Sequence, residues 1–145
     1  NLEDIIKKSQ INNTEIISDE KIKDHILKKS IFAVSKSGTI SLEISKRKIP
    51  SIIIYKMNFI NFLIVKMLVK IKYANILNIA AGQMIIPELL QSKCNSKQIY
   101  KLVSSFLEDQ NKIKKQISNT EKVLESFRTK NLPTDMAADS LRKSL

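Results

Sequence analysis

The sequence predicts an α/β fold in which parallel strands alternate with helices and a helical segment follows. Two short apolar runs, at 31–34 and 51–55, have the length and the β-branched composition of buried strands. A tight polar turn and a short apolar helix pattern separate them, and such a crossover joins parallel strands. The last third of the chain has helical patterns with no strand between them. This order is typical of the later half of a doubly wound, Rossmann-like domain.

Length and charge limit what the chain can do. Its 145 residues suit one domain, which we expect to divide into a partial Rossmann-like part at 1–110 and carboxyl-terminal helices of the same domain at 111–145. Lys and Arg number 25 against 14 Asp and Glu, a net charge of +11 that suits nucleic acid, an anionic membrane or a phosphorylated ligand. Lysine dominates, which argues against base readout and therefore against a nucleic-acid partner. Codon bias in an AT-rich genome explains the same excess of lysine.

The first half of the chain starts with apolar positions that suggest the tail of a helix at 2–6. A short strand is then expected at 15–17, and Ser18 is the expected N-cap of a helix over 19–29. The strand at 31–34, a helix around Leu42 and the strand at 51–55 follow. A single cysteine, Cys94, excludes an internal disulfide.

The second half is expected to add one strand and several helices. Apolar residues recur at helical spacing over 59–70, in a helix that either packs in the core or touches lipid with its outer side. Residues 73–79 have the composition of a third strand, and the pair at 87–88 is expected to open a helix with its proline in the first turn. Further helices are predicted at 96–109, at 113–127 and after Pro133.

The turn Ser37-Gly38-Thr39 carries the clearest chemical signal. A glycine between a strand and a helix leaves backbone N–H groups unpaired at the positive end of the helix dipole, where a phosphate or diphosphate can bind. Glu43 lies four residues after Thr39 on the same helix face, in reach of ribose hydroxyls. The alternative is structural: Thr39 caps the helix and Glu43 suits its dipole. The residues of the turn leave both interpretations open.

Several separated motifs give the chain a resemblance to a known family. In order and spacing they resemble lipid-A-disaccharide synthase: SGTISLE at 37–43, a proline-led strand at 50–55, LVK at 68–70, AG at 81–82 and PELLQ at 87–91.

The resemblance implies the carboxyl-terminal part of an inverting GT-B glycosyltransferase that uses no metal and no other cofactor. The family transfers 2,3-diacylglucosamine from UDP-2,3-diacylglucosamine to 2,3-diacylglucosamine 1-phosphate. The implied partners are that UDP-sugar, the lipid acceptor, a membrane surface, and a separate amino-terminal half or a second copy of the chain. The implied location is the cytoplasmic face of the inner membrane of a Gram-negative bacterium, as a peripheral protein.

The resemblance also assigns roles to residues. Ser37, Gly38 and Thr39 would cradle the donor diphosphate and Glu43 would hold the ribose. Asn78 is the candidate for a contact with the donor or the reacting centre. The wall of the same site would comprise Gly82, Glu88 and Gln91. Two departures from the family pattern flank Asn78: Leu77 stands where proline is usual, and Gln83 stands where a basic residue often follows the glycine.

The resemblance places the general base in the family's amino-terminal domain, which we expect to lie outside this chain, so the chain is expected to be inactive alone. A second class of function stays open. In this alternative the chain is a basic, non-enzymatic module that uses the helix at 59–70 to bind an anionic membrane or a partner protein.

Overall fold

A computed structural model of the chain describes residues 13–58 and 72–129. Within these ranges it contains a three-stranded parallel sheet, five α-helices and one short 3₁₀ turn, Gln91–Lys93, so the predicted α/β class is confirmed. The chain divides into two compact units, the first ending at Ser30 and the second beginning at Ile31. In chain order the elements are α1 (Glu20–Lys29), β1 (Ala33–Ser35), α2 (Thr39–Lys46), β2 (Ser51–Tyr55), α3 (Ile76–Ala81), β3 (Glu88–Leu90), α4 (Ser96–Leu107) and α5 (Gln110–Thr129).

The described part of the first unit is built around α1. Its N-cap is Asp19 rather than the predicted Ser18, because the Asp19 carboxylate accepts hydrogen bonds from the backbone N–H groups of Lys21 (2.8 Å) and Ile22 (3.0 Å). The strand predicted at 15–17 is wrong, since these residues have no regular structure. A three-residue strand forms only where a partner satisfies its backbone.

The sheet of the second unit has the strand order β1-β2-β3, with every pair parallel. The strand at 51–55 lies where the sequence predicts it, whereas β1 is shifted toward the turn, to Ala33–Ser35. Ser35, Ile53 and Glu88 are in register across the three strands. Residues in register point to the same face of a sheet. Because Ser35 is the last residue of β1 and Glu88 is the first residue of β3, the end of β1 is level with the start of β3.

Two glutamine side chains continue the hydrogen bonding of β2 beyond β3. The Gln116 amide accepts from Ser51 N–H and donates to Ser51 C=O, both at 2.8 Å, and the Gln91 amide does the same with Met57, at 2.8 and 3.2 Å. Ile53 N–H donates to the C=O of Pro87, the residue before β3. The backbone groups of alternate residues on a strand point to the same neighbouring strand, so those of Ser51 and Met57 point to the β3 side, as those of Ile53 do. Gln116 and Gln91 therefore take the place of a longer β3 at either end.

The core lies between β2 and the helices. It consists of the buried residues Ile53, Leu77, Ile85 and Ile86, with Leu42, Ala81, Val123 and Leu124 packed against them. The long helix α5 contacts α2, α3 and α4. Ile52, on the opposite face of β2 from Ile53, is also fully buried, as expected for a parallel sheet.

Two predicted elements between β2 and α4 are wrong in type. The segment at 73–79 contains α3 instead of a strand: the Asn75 side chain caps it at Leu77 N–H, and Gly82 ends it in the left-handed conformation, φ 65°. The pair at 87–88 begins β3 instead of a helix. Pro87 lacks an N–H but its C=O accepts a hydrogen bond from Ile53 N–H, so it fits at the start of a strand.

The predicted helices at 96–109 and 113–127 are confirmed as α4 and α5. Three other expectations lie outside the described residues: the helix tail at 2–6, the helix at 59–70 and the helix after Pro133. The division into 1–110 and 111–145 stays a prediction. In the two described ranges, no helix is long and apolar enough to cross a membrane.

Candidate functional site

The turn after β1 presents the bare end of a helix. Gly38 occupies the N-cap position of α2, and no side chain caps this end. Each of the other four described α-helices has a side chain that accepts a hydrogen bond from a backbone N–H of its first turn; these residues are Asp19, Asn75, Asn95 and Asp109. The first-turn N–H groups of α2 therefore have no acceptor of this kind, and they are the groups that an anion would use.

Gly38 is required here by its backbone conformation. Its φ of 141° is one that L residues rarely adopt, and a Cβ added to it would meet no atom within 4 Å. A side chain would thus be strained by the backbone and would project into the open space before the helix end. Gly38 and Thr39 are both exposed.

Glu43 lies on α2 one turn after Thr39, as the sequence predicts. Its carboxylate pairs with Arg47 one turn further on, with 3.3 Å between Oε1 and Nη2. Both side chains are partly exposed, at 35% and 26%. The carboxylate is thus both accessible and oriented by a cation.

The turn is fastened to the loop before α3 by side-chain hydrogen bonds. The Ser37 hydroxyl donates to Ala74 C=O at 2.7 Å. The Ser41 hydroxyl donates to Gly38 C=O at 2.6 Å and accepts from the Asn75 amide at 2.9 Å. Ser41 and Asn75 are fully buried, which protects both bonds from competition by water.

Glu88 holds the other side of that loop. Its carboxylate accepts from Ala74 N–H (2.8 Å), from Asn75 N–H (2.9 Å) and from the Asn78 amide (2.7 Å). Only 8% of the surface of Glu88 is exposed. These donors lie at the amino end of α3, where the dipole also favours a negative charge.

Asn78 is enclosed by this network. It is fully buried, its amide donates to Ile86 C=O and to Glu88, and its carbonyl oxygen accepts from the N–H groups of Ile85 and Ile86, all at 2.7–2.8 Å. Both amide hydrogens and both lone pairs are therefore engaged. The predicted contact with a ligand is untested, but these bonds give Asn78 a different task, which is to hold the 85–86 backbone against α3.

The remaining wall residues also serve the backbone. Gly82 is exposed and ends α3. Gln91 pairs with Met57 just beyond β2, and its own φ is 51°. Of the predicted site residues, hydrogen bonds thus link Ser37 and Gly38 to Glu88 and Asn78 through the 74–75 loop, whereas Gln91 and Gly82 join other contacts.

Sequence reasoning missed Ser41 and Asn75, which connect the turn to Glu88. A signal existed for Asn75, because an asparagine before ILNIAA and a following glycine is the pattern of a short capped helix. It also missed Ser35, whose buried hydroxyl has no hydrogen-bond partner among the described residues. No sequence pattern marks that serine.

An open groove of about 190 Å³ lies near the opposite, amino-terminal ends of the strands. Met84, Pro87, Phe106, Lys112 and Lys115 are among the residues that line it. None of the predicted site residues lines it. Within the described ranges, no three His, Cys, Asp or Glu residues cluster as a metal site would require.

Comparison with known proteins agrees with the motifs of the turn. The family model described as lipid-A-disaccharide synthetase matches residues 1–140. A lipid-A-disaccharide synthase of Rickettsia canadensis (strain McKiel) is 38% identical over 130 residues, which are 88% of this chain and 33% of that protein. One of Rickettsia prowazekii (strain Madrid E) is 35% identical over 133 residues, or 90% of this chain and 34% of that protein. The chain spans about a third of the length of these relatives, and it belongs to the lipid-A-disaccharide synthetase family.

Proposed function

We propose that the chain is the donor-binding part of a lipid-A-disaccharide synthase, a UDP-dependent, inverting hexosyltransferase of the GT-B class. The reaction would move 2,3-diacylglucosamine from UDP-2,3-diacylglucosamine to 2,3-diacylglucosamine 1-phosphate in lipid A biosynthesis. Family membership supports the reaction. One observation carries the donor role: among the five described α-helices, α2 alone begins without a side-chain cap, at an exposed glycine after a parallel strand.

In this proposal the diphosphate lies before α2. The N–H groups of its first turn would stabilise the negative charge that grows on UDP as the bond to the donor sugar breaks. They need no reorganisation, because the helix holds them in place before the donor arrives. Gly38 keeps the approach open, and the Thr39 hydroxyl would donate one further hydrogen bond.

Glu43 would accept hydrogen bonds from the ribose hydroxyls. Arg47, 3.3 Å from Glu43 Oε1, limits the rotamers of the carboxylate. Asn78 and Glu88 would act from behind the site, because their polar atoms are engaged within the protein.

The acceptor hydroxyl must also lose a proton, and the proposed donor site contains no group placed for that step. A second polypeptide or domain, with the general base and the acceptor site, would complete the enzyme. In this proposal the complete protein would act as a peripheral protein at the cytoplasmic face of the inner membrane of a Gram-negative bacterium. The alternative of a basic, non-enzymatic module depends on the helix at 59–70, which lies outside the described residues, so it gains no support here.

The experiment is calorimetric titration of the chain with UDP at fixed salt. Gly38→Ala should weaken binding about tenfold or more, because it both strains the turn and blocks the helix end. Glu43→Ala should weaken binding by about the same factor through the loss of charged hydrogen bonds.

Two controls separate a site from diffuse attraction. Lys28→Ala removes a positive charge from α1, where Lys28 pairs with Asp24 at 2.7 Å. Glu108→Ala removes a negative charge, as Glu43→Ala does, from an exposed position at the end of α4. Neither should change the UDP affinity by more than a small, salt-dependent factor. No UDP binding by the folded chain, or equal weakening by all variants, would refute the proposal.

A further inference from the structure

We propose that Glu88 is a positioning residue for the diphosphate turn: it fixes the 74–75 loop, and the loop fixes the backbone of residues 37–39. The inference deepens the proposed function and rests on it. It assigns Glu88 no contact with the donor. It makes the conformation of the bare helix end depend on a buried carboxylate on a different strand.

The hydrogen bonds form two routes from Glu88 to the turn. In the first, Oε2 accepts from Ala74 N–H at 2.8 Å, and Ala74 C=O accepts from the Ser37 hydroxyl at 2.7 Å. In the second, Oε1 accepts from Asn75 N–H at 2.9 Å, the Asn75 amide donates to the Ser41 hydroxyl at 2.9 Å, and that hydroxyl donates to Gly38 C=O at 2.6 Å.

Both routes end at the groups that set the turn. Ser37 precedes Gly38, and Gly38 C=O belongs to the residue whose φ of 141° exposes the helix end. A glycine can adopt many other conformations, so a turn of this kind must be held by its surroundings. The hydroxyls of Ser37 and Ser41 already donate to Ala74 C=O and Gly38 C=O, so an anion would be bound mainly by the backbone N–H groups of the first turn of α2.

Glu88 is suited to hold the loop because it is a charged acceptor with three donors. Charge-assisted hydrogen bonds are the stronger ones, and Glu88 is 8% exposed, so water competes little. Its register with Ser35 through Ile53 sets its level in the sheet at the end of β1, where the turn begins.

The chain offers a direct probe of the turn, since Gly38 and Gly82 are its only glycines. Labelling with ¹⁵N-glycine gives two backbone amide signals, one from the turn and one from the end of α3. Glu88→Gln replaces one acceptor oxygen by a donor, so at least one of the three bonds that Glu88 accepts is lost. We expect the Gly38 signal of the free protein to move or broaden. UDP affinity should fall roughly three- to tenfold, the factor that one net hydrogen bond represents.

Ser41→Ala is the second variant. It removes both bonds of the Ser41 hydroxyl, the one to Gly38 C=O and the one from the Asn75 amide, without changing charge. Its matched control is Ser45→Ala, which alters a buried serine one turn later on α2. Gln116→Ala controls for stability alone, because it removes the bonds to Ser51 at the far end of β2. Both controls should keep the Gly38 signal and the UDP affinity, although Gln116→Ala should lower the melting temperature.

The outcomes separate the two proposals. If Glu88→Gln and Ser41→Ala leave the Gly38 signal of the free protein in place, the positioning role is wrong. If Gln116→Ala disturbs that signal as much as Glu88→Gln does, general loss of stability explains the effect and the inference also fails. If UDP moves neither glycine signal of the unaltered chain, the donor site is wrong, and the effect of Glu88→Gln on the free protein still decides the positioning role.

Discussion

Replacing Asn78 by alanine should lower the stability of the second unit rather than remove a contact with a ligand. The substitution removes four hydrogen bonds: two that the amide donates, to Ile86 C=O and Glu88, and two that its oxygen accepts from the N–H groups of Ile85 and Ile86. At about 0.5–1.5 kcal/mol of net stability for each bond, the loss is roughly 2–6 kcal/mol. The site is fully buried, so water cannot replace the lost partners without opening the core. Such a loss is a large part of the stability of a small domain.

The assay is urea unfolding followed by far-UV circular dichroism, because the chain has no tryptophan to report by fluorescence. Asn119→Ala, which changes a half-buried asparagine on α5, is the matched control and should cost less than about 0.5 kcal/mol. Asn78→Asp should be worse than Asn78→Ala at neutral pH, since it places a second carboxylate beside Glu88.

The opposite pattern would refute the structural argument. If Asn78→Ala unfolds at the same urea concentration as the unaltered chain while its UDP affinity falls, the Asn78 side chain faces the donor. The role that the family resemblance implies would then be the correct one.

Four further predictions concern other features of the chain. Lys48 has a φ of 60° just after α2, and its ammonium group lies 2.6 Å from the Glu121 carboxylate, which raises the pKa of Lys48 above 10.5. Lys48→Gly should melt about 4 °C above Lys48→Ala, since both variants lose the ion pair but only glycine relieves the backbone strain. Equal melting temperatures of the two variants would contradict this. A raised pKa on a lysine stabilises the fold below the unfolded value, so this pair should lose its effect above about pH 10.5. Ser35→Ala should stabilise the fold by about 1 kcal/mol in urea unfolding, because it removes a buried hydroxyl that lacks a partner among the described residues; a loss of stability would show that the hydroxyl has one. The chain alone should not convert UDP-2,3-diacylglucosamine and its acceptor to disaccharide, and measurable turnover by the purified chain would overturn the division of roles.

The sequence predicts the elements whose patterns are long or chemically distinctive. α4 and α5 extend over three or more turns, so their apolar faces repeat often enough to be recognised. The strand at 51–55 follows a proline and is apolar throughout, as a strand buried on both faces should be. The turn at 37–39 is predicted because Ser-Gly-Thr stands between an apolar strand pattern and a short helix pattern.

The errors lie where an element is too short for its period to appear. α3 has six residues, less than two turns, and the apolar letters of ILNIAA fit a strand equally well. Its true type is decided by Asn75 and Gly82 at its two ends, whose capping roles require a knowledge of what lies beside them. β3 has three residues and begins after Pro87, a residue that also favours the first turn of a helix.

The shortness of β3 is related to a structural role for polar residues of the PELLQ motif. A three-residue strand leaves backbone groups of its neighbour unpaired, and the side chains of Gln91 and Gln116 supply the missing bonds at its two ends. Glu88 accepts from the backbone of the 74–75 loop at one end, and Gln91 pairs with Met57 at the other. Polar residues at these positions are thus needed by the fold itself, before any ligand is considered. In the proposed donor site the anion would contact the uncapped end of α2, and Glu88 would act on it only through the 74–75 loop.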